Sequence, residues 1–282
     1  MTKTIAPALL GVRRAGGGPK DVAPRVVGRL AVVTGASRGI GRRVAQRLAA
    51  AGARVVGIAR GEDALGRLRN QIQARGGAFE VWPLDLRDSA AATRLGEQVV
   101  GQFGAPGLMI SCAGHSIHRH LDESWDRPHD FTRLAGVNHL GPIALALPLL
   151  RAMTGRGTGH LISVSTVMVD VPTPGWTAYT GAEAAFEAWL DAGAPELRAA
   201  GVAVTSVRLP RVATAMSAPT AGRYPVPALS VDQAADAVCR AIAQRPRLVR
   251  PWWASAAGAV AGLAPGLTDR VWATVLRAGW RP

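Results

Sequence analysis

The stretch TGASRGIG occupies residues 34–41, where an apolar, β-branched run (RLAVVT, 29–34) gives way to apolar residues at helical spacing. This change of pattern predicts a buried strand, a turn and then a helix. Gly35, Gly39 and Gly41 allow a tight turn and a close approach of the backbone to a pyrophosphate, while the helix N-terminus offers unpaired N–H groups to the anion. Because the glycines stand between a strand and a helix, the stretch predicts a dinucleotide-binding loop rather than an ordinary turn.

The same alternation of strand and helix continues along the chain. Further strands are predicted at 53–59, 78–82, 107–111, 160–165 and 202–209, and helices at 39–51, 62–75, 88–103 and 177–199, with a long helical region broken near Pro128 and Pro142. The strands are apolar on both faces, which indicates a parallel sheet covered by helices on both sides, a doubly wound α/β fold. We expect one domain over 28–250, a flexible N-terminal tail over 1–27 and an apolar, Trp- and Arg-rich helical extension over 251–282.

Composition limits the classes of partner. The 282 residues carry a formal net charge of +14, nearly all of it arginine, since Lys3 and Lys20 are the only lysines. This charge reflects either codon usage that favours arginine or attraction to phosphate groups. No basic run alternates with aromatic residues, so nucleic acid is not an expected partner. The two cysteines, Cys112 and Cys239, stand far apart, which fits reduced thiols in the cytoplasm, and no apolar run reaches the ~20 residues that span a bilayer.

The end of the second strand bears on the choice of cofactor. An acidic residue there would hydrogen-bond the ribose hydroxyls of NAD. The chain instead has Ala59 followed by Arg60, and Arg38 lies inside the glycine loop. Two guanidiniums without a carboxylate suit a 2′-phosphate, which arginine binds in a bidentate manner. The sequence therefore predicts NADPH rather than NADH, the alternative being a pair of solvated arginines.

Several motifs, in the right order, resemble those of the short-chain dehydrogenase/reductases. The glycine loop matches their TGxxxGIG pattern, SCAG at 111–114 stands where that family usually has NNAG, and Asn138 in VNHLG matches a family asparagine. The segment PRVAT at 210–214 matches PGxxxT with arginine in place of glycine. The resemblance covers about residues 28–245. It implies an extended Rossmann sheet of about seven strands and a homodimer or homotetramer packed through long helices.

The resemblance also implies which residues bind the cofactor. Asp85 and Leu86, in LDLRD, match the pair that meets the adenine ring. The full set of cofactor-binding candidates is Gly35, Ser37, Arg38, Gly39, Ile40, Gly41, Arg60, Asp85, Leu86, Ala113, Gly114, Pro210, Val212 and Thr214. A narrower resemblance, carried by PTPGWTAY (172–179), MSAPT (216–220) and the region from CRAIAQRP (239–246) onward, is to reductase modules that act on long-chain acyl or aldehyde substrates. It implies an apolar carbonyl substrate.

The catalytic set of this family has four members, and one of them is altered here. In the family a tyrosine donates a proton to the carbonyl oxygen, a serine polarises that oxygen, a lysine four residues after the tyrosine lowers its pKa, and an asparagine holds a water of the proton relay. Tyr179 and Asn138 match by position. Thr166 stands at the commonest spacing for the serine, with Ser165 one residue earlier. Glu183 replaces the lysine.

A carboxylate at residue 183 should raise the pKa of Tyr179, whereas a lysine would lower it. Three explanations are open for Glu183. The enzyme still reduces carbonyls, slowly, with neutral Tyr179 as the acid. The fold serves a binding or non-redox role. The glutamate is a substitution that arose by a single base change in a lysine codon.

Two further segments border the expected cleft. His115, His118 and His120 follow the fourth strand, and since no carboxylate or cysteine completes a metal set, a solvated or substrate-facing loop is expected. The C-terminal segment contains four of the eight tryptophans and three arginines, and its apolar residues Leu267, Val271, Val275 and Leu276 recur as one helical stripe. That composition suits a helix packed on the domain or on a second subunit, a lid over an apolar pocket, or peripheral contact with a membrane.

Overall fold

A computed structural model describes residues 19–221 and 227–279, and its centre is one parallel sheet of seven strands. The strands are β1 (Leu30–Thr34), β2 (Arg54–Ala59), β3 (Ala78–Pro83), β4 (Leu108–Ser111), β5 (Gly159–Thr166), β6 (Val202–Leu209) and β7 (Leu248–Val249). The helices are α1 (Pro19–Val26), α2 (Gly39–Ala50), α3 (Glu62–Gln73), α4 (Ser89–Phe103), α5 (Pro128–Ala135), α6 (Gly141–Arg156), α7 (Thr177–Ala199), α8 (Val231–Gln244), α9 (Trp252–Leu263) and α10 (Pro265–Arg277).

The strand order, β3-β2-β1-β4-β5-β6-β7, confirms the predicted doubly wound fold. Strand β1 pairs with β2 on one side and with β4 on the other. The direction of winding therefore reverses at β1, and folds of this type bind ligands in the crevice beyond the carboxyl ends of the strands at that point. The glycine loop leaves β1 at this position.

Apolar side chains form one layer of core on each face of the sheet. One cluster packs α1, α2, α3 and α8 against the sheet, with Val44, Leu68 and Val238 fully buried. The other packs α4, α6 and α7 against the opposite face, with Leu149 fully buried and Phe186 nearly so. Because both faces are covered, most strand residues are apolar, as the sequence pattern predicted, and the polar residues are concentrated on β5 and β6.

The helical region before β5 is not broken at Pro142. A π-helical turn at Gly136–Leu140 joins α5 to α6, and the N–H of Gly141 bonds to the carbonyl of Gly136, one residue farther back than in an α-helix. The wider turn accommodates Pro142, which has no N–H to donate. Within the described residues, the run Pro128–Arg156 is long and apolar enough to cross a membrane by length and composition. However, Leu145, Leu149 and Met153 are fully buried in the core of the domain.

The N-terminal prediction is wrong for residues 19–26. They form α1, which contacts α2 and α8, and Val22 and Val26 are fully buried. The apolar pair at i and i+4 lies on one helical face, which anchors the segment to the domain. Residues 1–18 of the predicted tail lie outside the described residues. At the other end, α9 and α10 form a helical hairpin, and the end of the extension, 280–282, is likewise not described.

Candidate active site

The glycine loop is shaped by contacts that exclude side chains. Gly35 has φ +69°, and a Cβ there would lie 2.9 Å from the backbone N of Ala113 and the carbonyl O of Cys112. A Cβ on Gly41 would lie 2.5 Å from the carbonyl O of Gly35. The Thr34 hydroxyl accepts hydrogen bonds of 3.0 Å from the N–H groups of both Cys112 and Ala113. The turn after β1 is therefore packed directly against the end of β4, with backbone lining the crevice.

A cleft of about 1090 Å³ opens above the carboxyl ends of the strands. All fourteen cofactor-binding candidates named from the sequence line it, as do Ser165, Thr166, Tyr179 and Glu183. Ligand pockets commonly measure ~300–1,000 Å³, so the cleft has room for a dinucleotide together with a second molecule.

One end of the cleft is rich in guanidinium groups. Arg38, Arg60 and Arg133 line it, are exposed, and form no ion pair with any described residue. Arg87 also lines it and is paired with Asp85 at 2.6 Å, which lowers the pKa of that carboxyl. The pKa of His115 is lowered by burial and then by these four arginines. This end of the cleft can hold phosphate. Arg87 and Arg133 were not predicted from the sequence. Arg87 stands within LDLRD but was given no role there, Arg133 belongs to no motif, and both meet the other arginines only through the fold.

Tyr179 lies in the first turn of α7, inside the cleft. The pKa of its phenol is raised well above 10 by burial and by the nearby Glu183, and a hydrogen bond with Thr166 offsets part of this effect. The direction agrees with the expectation from the sequence. Tyr179 is therefore a protonated phenol at neutral pH, which makes it a proton donor rather than a base.

Glu183 lies one turn further along α7 and is buried beside the cleft. Its Oε2 accepts a 2.8 Å hydrogen bond from the Ser165 hydroxyl. Among the described residues it forms no ion pair, and burial together with Glu187 raises its pKa from 4.5 to about 8. The carboxylate expected from the sequence is therefore mostly a neutral carboxylic acid at neutral pH, because it is buried and no cation of the described residues pairs with it.

Ser165 and Thr166 differ in the residue of α7 that each contacts. Ser163 and Ser165 point to the same face, toward α7, where the Ser163 hydroxyl bonds Glu187 at 2.7 Å and the Ser165 hydroxyl bonds Glu183. Thr166 instead bonds Tyr179 and accepts a 3.2 Å bond from the N–H of Met168. The hydroxyl beside the phenol is thus that of Thr166.

A buried ion-pair network lies beneath this site. Arg208 on β6 pairs with Glu187 at 3.0 Å and with Asp170 at 2.6 Å, and its guanidinium is largely buried. Asp170 also pairs with Arg250 at 2.5 Å. These contacts connect α7, the turn after β5 and the start of the C-terminal hairpin, so they fix the backbone around Thr166 and Glu183. Asp170 and Arg208 carry no motif and were not predicted from the sequence.

Asn138 contacts the backbone of a residue that lines the cleft, His115. It lies in the π-helical turn, and its Oδ1 accepts from the N–H of His115 at 2.9 Å while its Nδ2 donates to the carbonyl O of His115 at 2.8 Å. Asn138 does not appear among the described residues that line the cleft. Its side chain holds the loop after β4 in place, next to Gly114.

The other end of the cleft is apolar and aromatic. Met168, Val171, Trp176, Trp253 and Trp272 line it, the last two contributed by α9 and α10. The ring of Trp176 lies edge-on to that of Tyr179, with centroids 5.8 Å apart, and His118 contacts Trp176 in the same manner at 5.1 Å. This wall suits an apolar molecule placed next to the Tyr179 phenol.

Comparisons with known proteins agree with this geometry. A family model described as short chain dehydrogenase matches residues 29–224. The chain is 35% identical over 244 residues to a fatty acyl-CoA reductase of Acinetobacter baylyi, covering 86% of this chain and 83% of that one. It is 34% identical over 266 residues to a fatty acyl-CoA reductase of Mycobacterium tuberculosis, covering 94% and 89%.

Among solved structures, one similar protein is a metagenomic short-chain oxidoreductase crystallised in complex with NADP. It superimposes with a TM-score of 0.70 at 29% identity over 80% of this chain and 97% of that one. Both resemblances stated from the sequence are thereby confirmed, the wider one by the family model and the narrower one by the two acyl-CoA reductases. The chain belongs to the short-chain dehydrogenase/reductase family of oxidoreductases.

Proposed function

We propose that the protein reduces an apolar aldehyde or ketone with NADPH, and that Tyr179 is the proton donor. The observation that carries the proposal is that the Tyr179 phenol lines the same cleft as the arginines and lies 5.8 Å, between ring centroids, from Trp176 of the apolar wall. The cleft is lined by guanidiniums that pair with no carboxylate in the described part of the chain and by a wall of tryptophan, methionine and valine. A phosphate-bearing cofactor and an apolar carbonyl compound would therefore meet at the phenol.

The residues of the first end fit NADPH. The backbone around Gly35 and Gly41 leaves no space for side chains and provides a close approach for a pyrophosphate at the start of α2. Arg38 and Arg60 would hold the 2′-phosphate, since neither is neutralised by a described carboxylate. Asp85 and Leu86 would meet the adenine. When bound, NADPH supplies the hydride that reduces the carbonyl carbon.

The chain's own residues manage the proton and the charge on oxygen. The Tyr179 hydroxyl donates its proton to the carbonyl oxygen, forming the alcohol, and is reprotonated from solvent. The Thr166 hydroxyl, adjacent to the phenol, donates a hydrogen bond to the same oxygen and stabilises the charge that develops there. The Ser165 hydroxyl donates its hydrogen bond to Glu183 and positions that side chain.

Glu183, when neutral, makes reduction compatible with the loss of the family lysine. A negative charge next to Tyr179 would make the phenol a weaker acid, and protonation of Glu183 removes most of that charge at neutral pH. The carboxylic acid can still exchange hydrogen bonds with ribose hydroxyls through its second oxygen. Alcohol oxidation would need a phenolate, which the raised pKa of Tyr179 disfavours, so carbonyl reduction is the favoured direction.

Long-chain substrates are supported by two observations. The relatives described above are named fatty acyl-CoA reductases, and the apolar end of the cleft is extended by Trp253 and Trp272 from the C-terminal hairpin. A long acyl chain lying along this wall would gain about 25 cal/mol of binding free energy for each Å² of apolar surface that it buries. We therefore expect kcat/KM to rise with the chain length of an aldehyde.

The test is aldehyde-dependent oxidation of NADPH by the wild type, Tyr179→Phe and Thr166→Val. General acid catalysis contributes roughly 10²–10⁴-fold, so Tyr179→Phe should lose activity on that scale while NADPH binding and the melting temperature stay unchanged. Thr166→Val should lose less. Binding of NADPH without turnover in the wild type, with turnover gained in Glu183→Lys, would instead support a binding protein whose redox activity is lost.

We also propose a homo-oligomer located in the cytoplasm. Exposed apolar residues on the long α5–α6 region, Phe131, Leu140 and Leu147, support a dimer or tetramer formed through these helices. Cys112 and Cys239 are both free thiols, which supports a reducing compartment. Size-exclusion chromatography with light scattering tests the oligomeric state. The wild type should have the mass of an oligomer, and Leu140→Asp/Leu147→Asp that of a monomer.

A further inference from the structure

The outer face of α9 is apolar and exposed. None of its twelve residues is charged, and its exposed residues include Trp252, Ala256, Ala259, Val260 and Leu263, which recur at intervals of three and four along one face. Leu263 is 88% exposed. The face continues onto α10 through Leu267 and Val271, which are 56% and 54% exposed. A contiguous apolar surface of this kind marks contact with a membrane or another protein.

The inner face of the same hairpin is firmly attached to the domain. Ala254 is fully buried, and a Cβ on Gly258 would lie 3.1 Å from the Cβ of Asp170. Asp170 also holds Arg250, immediately before α9. From this face Trp253 and Trp272 line the apolar end of the cleft. The hairpin thus separates the cleft from the surroundings, with one side toward the substrate region and an apolar side outward.

Charge favours one occupant of the outer face. The segment 251–282 contains three arginines and a single acidic residue, Asp269. Arg270 and Arg277 are exposed on α10, alongside Leu267 and Val271. The net charge of the chain, +14, favours a negatively charged surface. Tryptophan and leucine on one helical face with arginine beside them is the composition of helices that lie in a membrane interface.

We propose that the outer face of the α9–α10 hairpin docks on an anionic lipid bilayer, and that apolar substrate passes from this surface into the cleft past Trp253 and Trp272. The docking is inferred from the exposed residues and the charge of the hairpin alone. The passage of substrate rests on the proposed function.

Flotation with lipid vesicles, without cofactor or aldehyde, tests the docking. The wild type should float with vesicles of phosphatidylcholine and phosphatidylglycerol, and less with phosphatidylcholine alone or at high salt. Val260→Ser/Leu263→Ser should lower the partition coefficient by at least about tenfold, since each side chain loses apolar contact with lipid. The matched control, Leu121→Ser/Trp125→Ser, alters two apolar residues that are similarly exposed elsewhere and should float like the wild type.

Two outcomes would overturn the docking. One is a wild type that does not float, or equal flotation of all three proteins. The other is a wild-type dimer, seen by light scattering, that Val260→Ser/Leu263→Ser converts to monomer, because a second copy would then cover the face. Since no turnover is involved, these results are independent of whether the protein is a reductase.

Kinetics test the passage of substrate. For a long-chain aldehyde carried in anionic vesicles, Val260→Ser/Leu263→Ser should raise the apparent KM by roughly tenfold, whereas kcat/KM for a short water-soluble aldehyde should equal that of the wild type. Equal losses with both substrates would refute a role of the hairpin in delivery and point to a general defect of the variant.

Discussion

Replacing Glu183 by glutamine isolates the effect of its buried carboxyl. Glutamine has nearly the same shape, and its amide oxygen can accept the Ser165 hydrogen bond, but it cannot ionise. The pKa of Glu183 is raised to about 8 in the folded protein, compared with 4.5 in the unfolded chain. Below pH 4.5 the acid is protonated in both states. As the pH rises, the unfolded chain releases the proton first, so folding becomes less favourable until the pH passes about 8.

The size of this effect follows from the two pKa values. Linkage at ~1.4 kcal/mol per pH unit predicts that the wild type loses about 4 kcal/mol of unfolding free energy between pH 5 and pH 9 through this group alone. Glu183→Gln should lack that loss and become the more stable protein at high pH. The same ionisation restores a negative charge beside Tyr179, so reduction by the wild type should slow above pH 8, whereas the rate of Glu183→Gln should stay level there.

Denaturant unfolding at several pH values, with reduction rates measured in parallel, is the assay. The control is Glu196→Gln, which removes an exposed glutamate from the same helix and should follow the wild type. If the stability curves of the wild type and Glu183→Gln run parallel from pH 5 to pH 9, Glu183 is ionised throughout and the account of its burial is wrong.

Three other substitutions test separate parts of the structure. Arg60→Ala should weaken NADPH binding by about 1.5–3 kcal/mol, roughly 10- to 150-fold in Kd, and leave NADH binding unchanged, as measured by fluorescence titration; equal losses for both cofactors would contradict its assignment to the 2′-phosphate. Asp170→Asn removes a buried carboxylate that pairs with both Arg208 and Arg250, and it should lower the free energy of unfolding, measured in urea, by about 3 kcal/mol. A change near zero would show that the ion-pair network contributes little to stability. Gly41→Ala places a Cβ 2.5 Å from the carbonyl O of Gly35 and should abolish NADPH binding with a smaller effect on melting temperature; wild-type affinity would show that the turn can move.

Patterns that repeat within a few residues made most of the fold predictable. Strands β1 to β6 are mainly apolar runs of four to eight residues, and their alternation with helices along the chain predicts a doubly wound sheet. The elements that were not predicted are either too short to show a pattern or depend on tertiary packing. Strand β7 has two residues, too few for a pattern. Helix α1 has only two buried valines to mark it, and the π-helical turn before Pro142 depends on how α5 and α6 pack.

The sequence predicted which residues form the candidate site, but not the burial or the contacts of their side chains. Motif spacing identified Tyr179, Glu183 and the pair Ser165 and Thr166. It could not show which hydroxyl contacts the phenol, because that depends on how the end of β5 packs against α7. Nor could it show that Glu183 is buried without a cation, since Arg208, the nearby candidate, is held by Glu187 and Asp170 instead.

Transfer of deuterium from NADPH labelled at the transferable position of the nicotinamide shows whether the protein reduces an aldehyde with Tyr179 as the proton donor. The purified protein is incubated at pH 7 with this cofactor and a long-chain aldehyde, and the products are analysed by mass spectrometry. We expect the wild type to form the long-chain alcohol carrying one deuterium and Tyr179→Phe to form almost none. Absence of labelled alcohol from the wild type, when NADPH binding has been demonstrated in the same preparation, would contradict the proposed function.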